Sequence, residues 1–158
     1  ERINEIICKL SVVENAVSMY NTTDPLQQTV VKAKNYIISK LDSGDYMFFK
    51  KYNTIIDKKD GLLELAGNLC NTSEHERVKR EIMRAKELGC NNFIFLIQEN
   101  KIKGVQDIKN WKSKYTKVKG ETLYKIMATM KQKYGVRFII CDKKNMGEMI
   151  IKLLSCQK

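Results

Sequence analysis

Gly44-Asp45-Tyr46-Met47-Phe48-Phe49 and the stretch from Asn53 through Ile55-Ile56-Asp57-Lys58-Lys59 are two apolar runs that each carry an aspartate. Aromatic and β-branched residues dominate both, which favours extended chain over helix. Lys50-Lys51-Tyr52 lies between them and suits a hairpin turn, so the runs are expected to pair as neighbouring strands. Such a pair brings Asp45 and Asp57 side by side. Side chains alternate along a strand, so Asp57 and Lys59 share a face. Two carboxylates can hold a hard divalent cation through oxygen. An adjacent amine can orient or deprotonate a water, or stabilise developing charge. These groups are the minimum equipment for metal-assisted phosphodiester hydrolysis. In a lysine-rich chain the same triplet also fits a solvated strand end, so its neighbours must decide.

Working outward, Tyr36 to Leu41 reads as a strand leading into the first run. Upstream, Glu1 to Val17 reads as a helix from Ile3, Ile6, Ile7, Leu10 and Val13 near a 3.6-residue period. Asn21 to Pro25 is a turn or cap, and Gln27 to Lys34 a short helix. Downstream, Leu62 to Asn68 begins helical structure, and Asn71-Thr72-Ser73 breaks it. Ser73 with Glu76 has capping-box spacing for the next helix. From Glu74 to Leu88 the pattern is helical, with Val78, Ile82, Met83 and Ala85 inward and Arg77, Lys79, Arg80, Arg84 and Lys86 outward. Gly89 ends it. Asn92 to Ile97 is continuously apolar, as in a central strand covered on both faces. Lys101 to Lys119 is a basic irregular stretch holding Trp111 and Tyr115; among lysines the two rings can stack on an unpaired base, but the preferred reading is a loop anchored by both aromatics. Glu121 to Tyr134 is a helix ended by Gly135, Val136 to Cys141 the last strand, and Asn145 to Leu154 the last helix. The order is a hairpin followed by helix, strand, helix, strand and helix. It predicts an α/β fold, a mixed sheet flanked by helices.

The 158 residues suit one domain with a real core. Lys and Arg number 29 against 18 Asp and Glu, a formal net charge of +11 that favours a polyanionic partner. Abundant Lys, Asn and Ile together also reflect coding bias, which tempers that argument. Cys8, Cys70, Cys90, Cys141 and Cys156 are scattered, and His75 is the only histidine, so a zinc site is not expected. Buried thiols in a reducing intracellular compartment, cytoplasm or nucleus, fit best. No apolar run approaches membrane-spanning length. Met127, Met130, Met146 and Met149 read as core, His75 as a surface residue and Asp142-Lys143-Lys144 as a solvated loop.

Gly44-Asp45-Tyr46 followed by Ile56-Asp57-Lys58-Lys59 resembles the G-D-Y … E/D-R-K signature of the XPF-type structure-specific endonucleases, within the PD-(D/E)xK class. Leu62 to Leu69, Glu74 to Lys86, Lys119 to Leu123 and Lys133 to Phe138 are similar to the later helices and strand of small phage and bacterial members. The resemblance covers about Tyr36 to Leu154. It implies a restriction-endonuclease-like mixed sheet, with Asp45 and Asp57 as metal ligands and catalytic acids, Lys59 as the motif lysine, and Mg²⁺ or Mn²⁺ as cofactor. DNA, branched or otherwise distorted, is the implied substrate, and monomer and homodimer both occur among relatives. Lys58 stands where the family has arginine, keeping charge but losing bidentate phosphate contact. Arg77, Lys79, Arg80 and the lysines of the stretch from Lys101 to Lys119 are the expected phosphate contacts.

The chain departs from the pattern at two places. It lacks a V-D-x-R-E motif ahead of Gly44, with Asp24 in Thr23-Asp24-Pro25 the nearest stand-in for a third ligand. Leu63 occupies the position where the family often has Asp. Residues 1–35 are therefore set apart as an N-terminal helical segment without an assigned role, and 36–158 as the nuclease domain, together forming one compact domain. The alternative reading is a catalytically degenerate nuclease fold serving as a DNA-binding or regulatory module. Last in order comes a basic protein whose polyanion is RNA or an acidic protein surface.

Overall fold

The two runs around Asp45 and Asp57 do form an antiparallel pair, and the rest of the sheet is built outward from it. The computed structural model describes residues 9–10, 36–37, 40–48 and 51–155. Strands β1 (Lys9–Leu10), β2 (Tyr36–Ile37), β3 (Tyr46–Phe48), β4 (Lys51–Lys59), β5 (Asn92–Gln98) and β6 (Arg137–Cys141) make one six-stranded sheet in the order β2-β1-β3-β4-β5-β6. Strand β1 runs antiparallel to β2 and parallel to β3, and β3 is antiparallel to β4. From β4 onward the pairing is parallel through β5 to β6. The sheet is thus mixed, as expected.

Lys9 and Leu10 lie in a strand, which corrects the helix read over Glu1 to Val17 at these two residues. A two-residue strand has no period of its own to read. Its pairing partners, β2 and β3, are distant in sequence, and the nearby Ile and Val residues suit strand as well as helix. Strand β2 covers Tyr36–Ile37 of the segment expected there, and Lys40 and Leu41 at that segment's far end are not in a strand. Lys51, assigned to the hairpin turn, already belongs to β4 and pairs with Phe48 across a register shift. The turn at 21–25, the helix at 27–34, Asp24, Cys8 and Cys156 all fall outside the described residues.

Helices α1 (Leu62–Cys70), α2 (Thr72–Glu87) and α3 (Gly120–Tyr134) cover one face of the sheet, and α4 (Met146–Ser155) covers the other. Strand alternation explains the division. Ile55, Phe93, Phe95 and Ile97 point toward α1–α3 and meet Leu65, Val78, Ile82, Leu123 and Met127. Ile56, Ile94 and Leu96 point the other way and meet Met146, Ile150 and Leu154. Strand β5, packed on both faces, is apolar and buried from Phe93 to Ile97, as its sequence predicts.

Helix α2 is capped by Asn71, not Ser73. Asn71 Oδ1 accepts from the Glu74 amide at 3.2 Å, and the Ser73 hydroxyl donates to the same oxygen at 2.8 Å. Asn71 to Glu74 has the same three-residue spacing that was read from Ser73 to Glu76, and Asn is an equally good cap. Met83, expected inward, is 47% exposed on the outer face of α2. Met127, Met130 and Met146 are buried and Met149 is half-buried. Cys70, Cys90 and Cys141 are free thiols. No described helix is long and apolar enough to cross a membrane.

Candidate active site

Because β4, β5 and β6 are parallel, their carboxyl ends share one edge of the sheet. Open α/β sheets present ligand sites at that edge. Asp57 and Lys59 are the last inward pair of β4, both buried, with Lys59 Nζ 2.9 Å from Asp57 Oδ1. Glu64, in the first turn of α1, lies 4.0 Å from the same ammonium. Asp45 sits one residue before β3 and is half-buried. Its amide donates to Ile56 O at 2.8 Å, and its Oδ2 accepts from the Lys58 amide at 2.8 Å. These two bonds lock the Asp45 turn against β4 and place both aspartates on the face toward α1–α3.

Gly44 supplies the bend. Its φ of +66° lies in the left-handed region, and a Cβ there would stand 2.4 Å from Ile55 Cγ2. Glu81 of α2 reaches in from the helical layer. Its Oε1 accepts from the Gly44 amide at 2.9 Å, and its backbone carbonyl accepts from Ser43 Oγ at 3.1 Å. Arg77, one turn earlier, lies 3.6 Å from Glu81 Oε2 and donates to Glu74 at 2.9 Å.

The electrostatics follow from burial and crowding. Loss of hydration, then repulsion from Asp57, hold the Asp45 carboxyl well above the usual carboxylate range; Lys59 and the Lys58 amide oppose this, and Glu81 adds to it. Burial pushes Asp57 up to about 6, with Lys59 pulling it down and Glu81 and Glu64 adding to the rise. Burial draws the Lys59 amine down, but Asp57, then Asp45 and Glu64, more than restore it and leave it above an ordinary lysine. Two carboxylates behind one ammonium thus favour an added proton or an added cation.

Asp45 and Asp57 carry the oxygen donors with which a hard divalent ion that keeps much of its water could be held. Among the described residues no three His, Cys, Asp or Glu side chains converge to cage a metal unaided.

Of the other residues singled out, Lys58 projects from the opposite face of β4 and pairs with Asp60. Arg77 is near the site: burial lowers its pKa, but Glu74, Glu81 and Asp57 raise it overall. Lys79 is held by Glu76 at 2.5 Å, whereas Arg80 is exposed. His75 is half-buried with Nδ1 2.9 Å from Leu69 O, a packing role at the junction of α1 and α2. Asp142 caps the short turn of helix at Lys143–Asn145. Glu81 was missed by sequence reading. Its partners are 37 and 38 positions away, and within α2 it looks like one more solvated acid.

Residues 20–153 match the ERCC4 domain family. Among solved structures, XPF from Aeropyrum pernix superposes with a TM-score of 0.60 at 19% identity, over 93% of this chain and 64% of that one. XPF from Aeropyrum pernix in complex with DNA gives a TM-score of 0.59 at 18% identity, over 93% of this chain and 62% of that one. The chain therefore spans less than two thirds of these relatives. No curated protein matches it. With its Gly44-Asp45-Tyr46 turn and Asp57–Lys59 strand end at the edge where the parallel strands finish, the chain belongs to the ERCC4 domain family and has the XPF nuclease fold.

Proposed function

We propose that the chain is a divalent-metal-dependent DNA endonuclease that hydrolyses phosphodiester bonds in branched or distorted DNA. The observation that carries this reading is the buried Asp57–Lys59 pair beside Asp45 at the carboxyl edge of the sheet. A likeness to XPF in complex with DNA supports the choice of polymer, as does the net charge of +11. Asp45 and Asp57 would hold Mg²⁺ or Mn²⁺, with Asp24 as a third ligand. The ion, when bound, supplies a more acidic water and neutralises charge on phosphate oxygens. Asp45 and Asp57 would bind the ion in their ionised form. Lys59, kept charged by Asp57, orients the attacking water and balances charge that builds on the phosphate. Arg77 and Arg80 hold the flanking backbone.

A second reading is favoured by one observation: among the described residues no three His, Cys, Asp or Glu side chains come together as a metal cage. On that reading the fold is a degenerate nuclease that binds DNA without cutting it. A panel of labelled duplex, forked and single-stranded DNAs, incubated with Mg²⁺ or Mn²⁺, separates the two. Cleavage by the wild type that Asp57→Ala abolishes, with DNA binding intact or tighter, supports the nuclease. Cleavage by Asp57→Ala at the wild-type rate rejects the site. Binding without cleavage, and without Asp57-dependent uptake of Mn²⁺, supports the degenerate module.

A further inference from the structure

We propose that the exposed strip Lys112, Lys114, Tyr115 and Lys117 is a second DNA contact, which captures single-stranded DNA by stacking an unpaired base on Tyr115. It rests on the nuclease reading for the kind of polymer and on a separate part of the molecule for its geometry.

Between the 3₁₀ helix Val105–Asn110 and α3 the chain forms no regular element, yet its burial alternates. Trp111, Ser113, Thr116 and Val118 are half-buried, and Trp111 and Val118 pack against the core beneath the helices. Lys112, Lys114, Tyr115, Lys117 and Lys119 are exposed. The two aromatics of this loop therefore have different roles, which corrects their reading as joint anchors. Trp111 anchors the loop. Tyr115 is 73% exposed, against 42% for Leu63 and 47% for Met83, the other exposed large hydrophobics among the described residues.

The backbone beneath Tyr115 is fixed at both ends. Trp111 N donates to Ile108 O at 2.9 Å, and Gly120 N donates to Trp111 O at 3.1 Å. A Cβ on Gly120 would stand 2.0 Å from Ile108 O, so the start of α3 is wedged directly under the loop. Inside it, Tyr115 N donates to Ser113 Oγ and Val118 N to Thr116 Oγ1. A ring held out in water on so constrained a loop leaves its apolar area uncovered, which loses hydrophobic stabilisation unless something covers it.

The chemistry names the ligand. From Ile108 to Gly120 the sequence carries five lysines and no acid. Lys114 Nζ lies 5.0 Å from the Tyr115 ring centroid, so positive charge and an aromatic plane occupy one spot. Lysines attract phosphates regardless of sequence. An aromatic ring takes the face of any base, but only where that face is free of its neighbours in a duplex. Position supports the same conclusion. The segment follows β5, whose Ile97 is paired with Lys59, and it ends where α3 sets off back toward the start of β6. The strip thus belongs to the connection that leaves β5 on the side of the sheet where Asp57 and Lys59 end β4.

The test measures binding by the full chain with divalent ions chelated, so that cleavage does not intrude. The probes are a labelled single-stranded oligonucleotide, its duplex, and the same strand with abasic residues. The proteins are wild type, Tyr115→Ala and Tyr115→Phe, each checked by thermal melting. Tyr115→Ala is expected to lose roughly 10- to 100-fold affinity for the single strand and little for the duplex, while Tyr115→Phe stays near wild type. Wild type should also bind the abasic strand more weakly, and Tyr115→Ala should not distinguish it. Equal losses on duplex and single strand, or a Tyr115→Phe as weak as Tyr115→Ala, would overturn the proposal. Wild-type DNA binding that Tyr115→Ala leaves undiminished overturns it alone and spares the nuclease reading. A wild type that binds no DNA of any form overturns both.

Discussion

Glu81 Oε1 accepts a hydrogen bond from the Gly44 amide across 2.9 Å, tying helix α2 to the turn that delivers Asp45. The acid that steadies the turn also sits close enough to raise both aspartates. It therefore acts on the site in two ways, by geometry and by field.

The geometric part can be isolated by substitution. Glu81→Ala removes the acceptor and leaves the Gly44 amide without it, at a cost of about 1.5–3 kcal/mol for a bond to a charged group. Glu81→Gln keeps a carbonyl acceptor and removes the charge, so it should lose clearly less. Urea unfolding of the metal-free protein reads both. Equal stability of the two variants would show that the hydrogen bond contributes nothing.

Stability of the metal-free protein should fall as pH rises through the weakly acid range. Asp57 titrates at about 6 in the folded chain, against roughly 3.9 for an unperturbed aspartate. Between those values the folded state holds a proton that the unfolded state has released, so raising the pH favours unfolding. The stabilisation is fully present below the unfolded value and gone above the folded one. For Asp57 it amounts to at most about 3 kcal/mol, and Asp45 shifts in the same direction. Urea melts at stepped pH should therefore show a decline from about pH 4 to pH 6, less steep in Asp57→Asn. A slope unchanged by that substitution would mean Asp57 is not the group responsible.

The cations of α2 should differ in their contribution to DNA affinity. Arg80 is exposed and forms no ion pair among the described residues, although it adds to the pull on Glu76, while Lys79 is paired with Glu76 and Arg77 with Glu74 and Glu81. A charge outside an ion pair at a phosphate contact releases about one counterion. Arg80→Ala should thus lower the slope of log affinity against log salt by roughly one unit. Arg77→Ala and Lys79→Ala should change it less, because their neighbouring acids already discount their charge. Salt titrations on one duplex sequence test this. Three identical reductions would contradict it, and an affinity independent of ionic strength would remove nucleic acid as the partner.

What could be read in the sequence was whatever is settled by near neighbours. Asp45, Asp57 and Lys59 sit on a hairpin, where a short turn and the two-residue period of strands leave few arrangements. Strand β5 was legible because its five central residues, Phe93 to Ile97, packed on both faces, must be apolar together. Glu81 was not, because its partners lie across the fold and no local pattern marks it. Lys9 and Leu10 failed for the same reason, since their strand exists only through β2 and β3. Trp111 and Tyr115 were alike on paper. Only the packing of the loop shows that one ring is inside and the other outside.

The wedge at Gly120 gives this arrangement a consequence for where a cut would fall. With Ile108 and Trp111 seated on the first residue of α3, the lysine loop cannot slide along the sheet edge. A base held on Tyr115 would then lie a constant number of nucleotides from the phosphate offered to Asp57 and Lys59. Such an enzyme would measure rather than read. Its incisions would keep a fixed offset from the junction where the strands part, whatever the letters between, and lengthening the loop would move the cut.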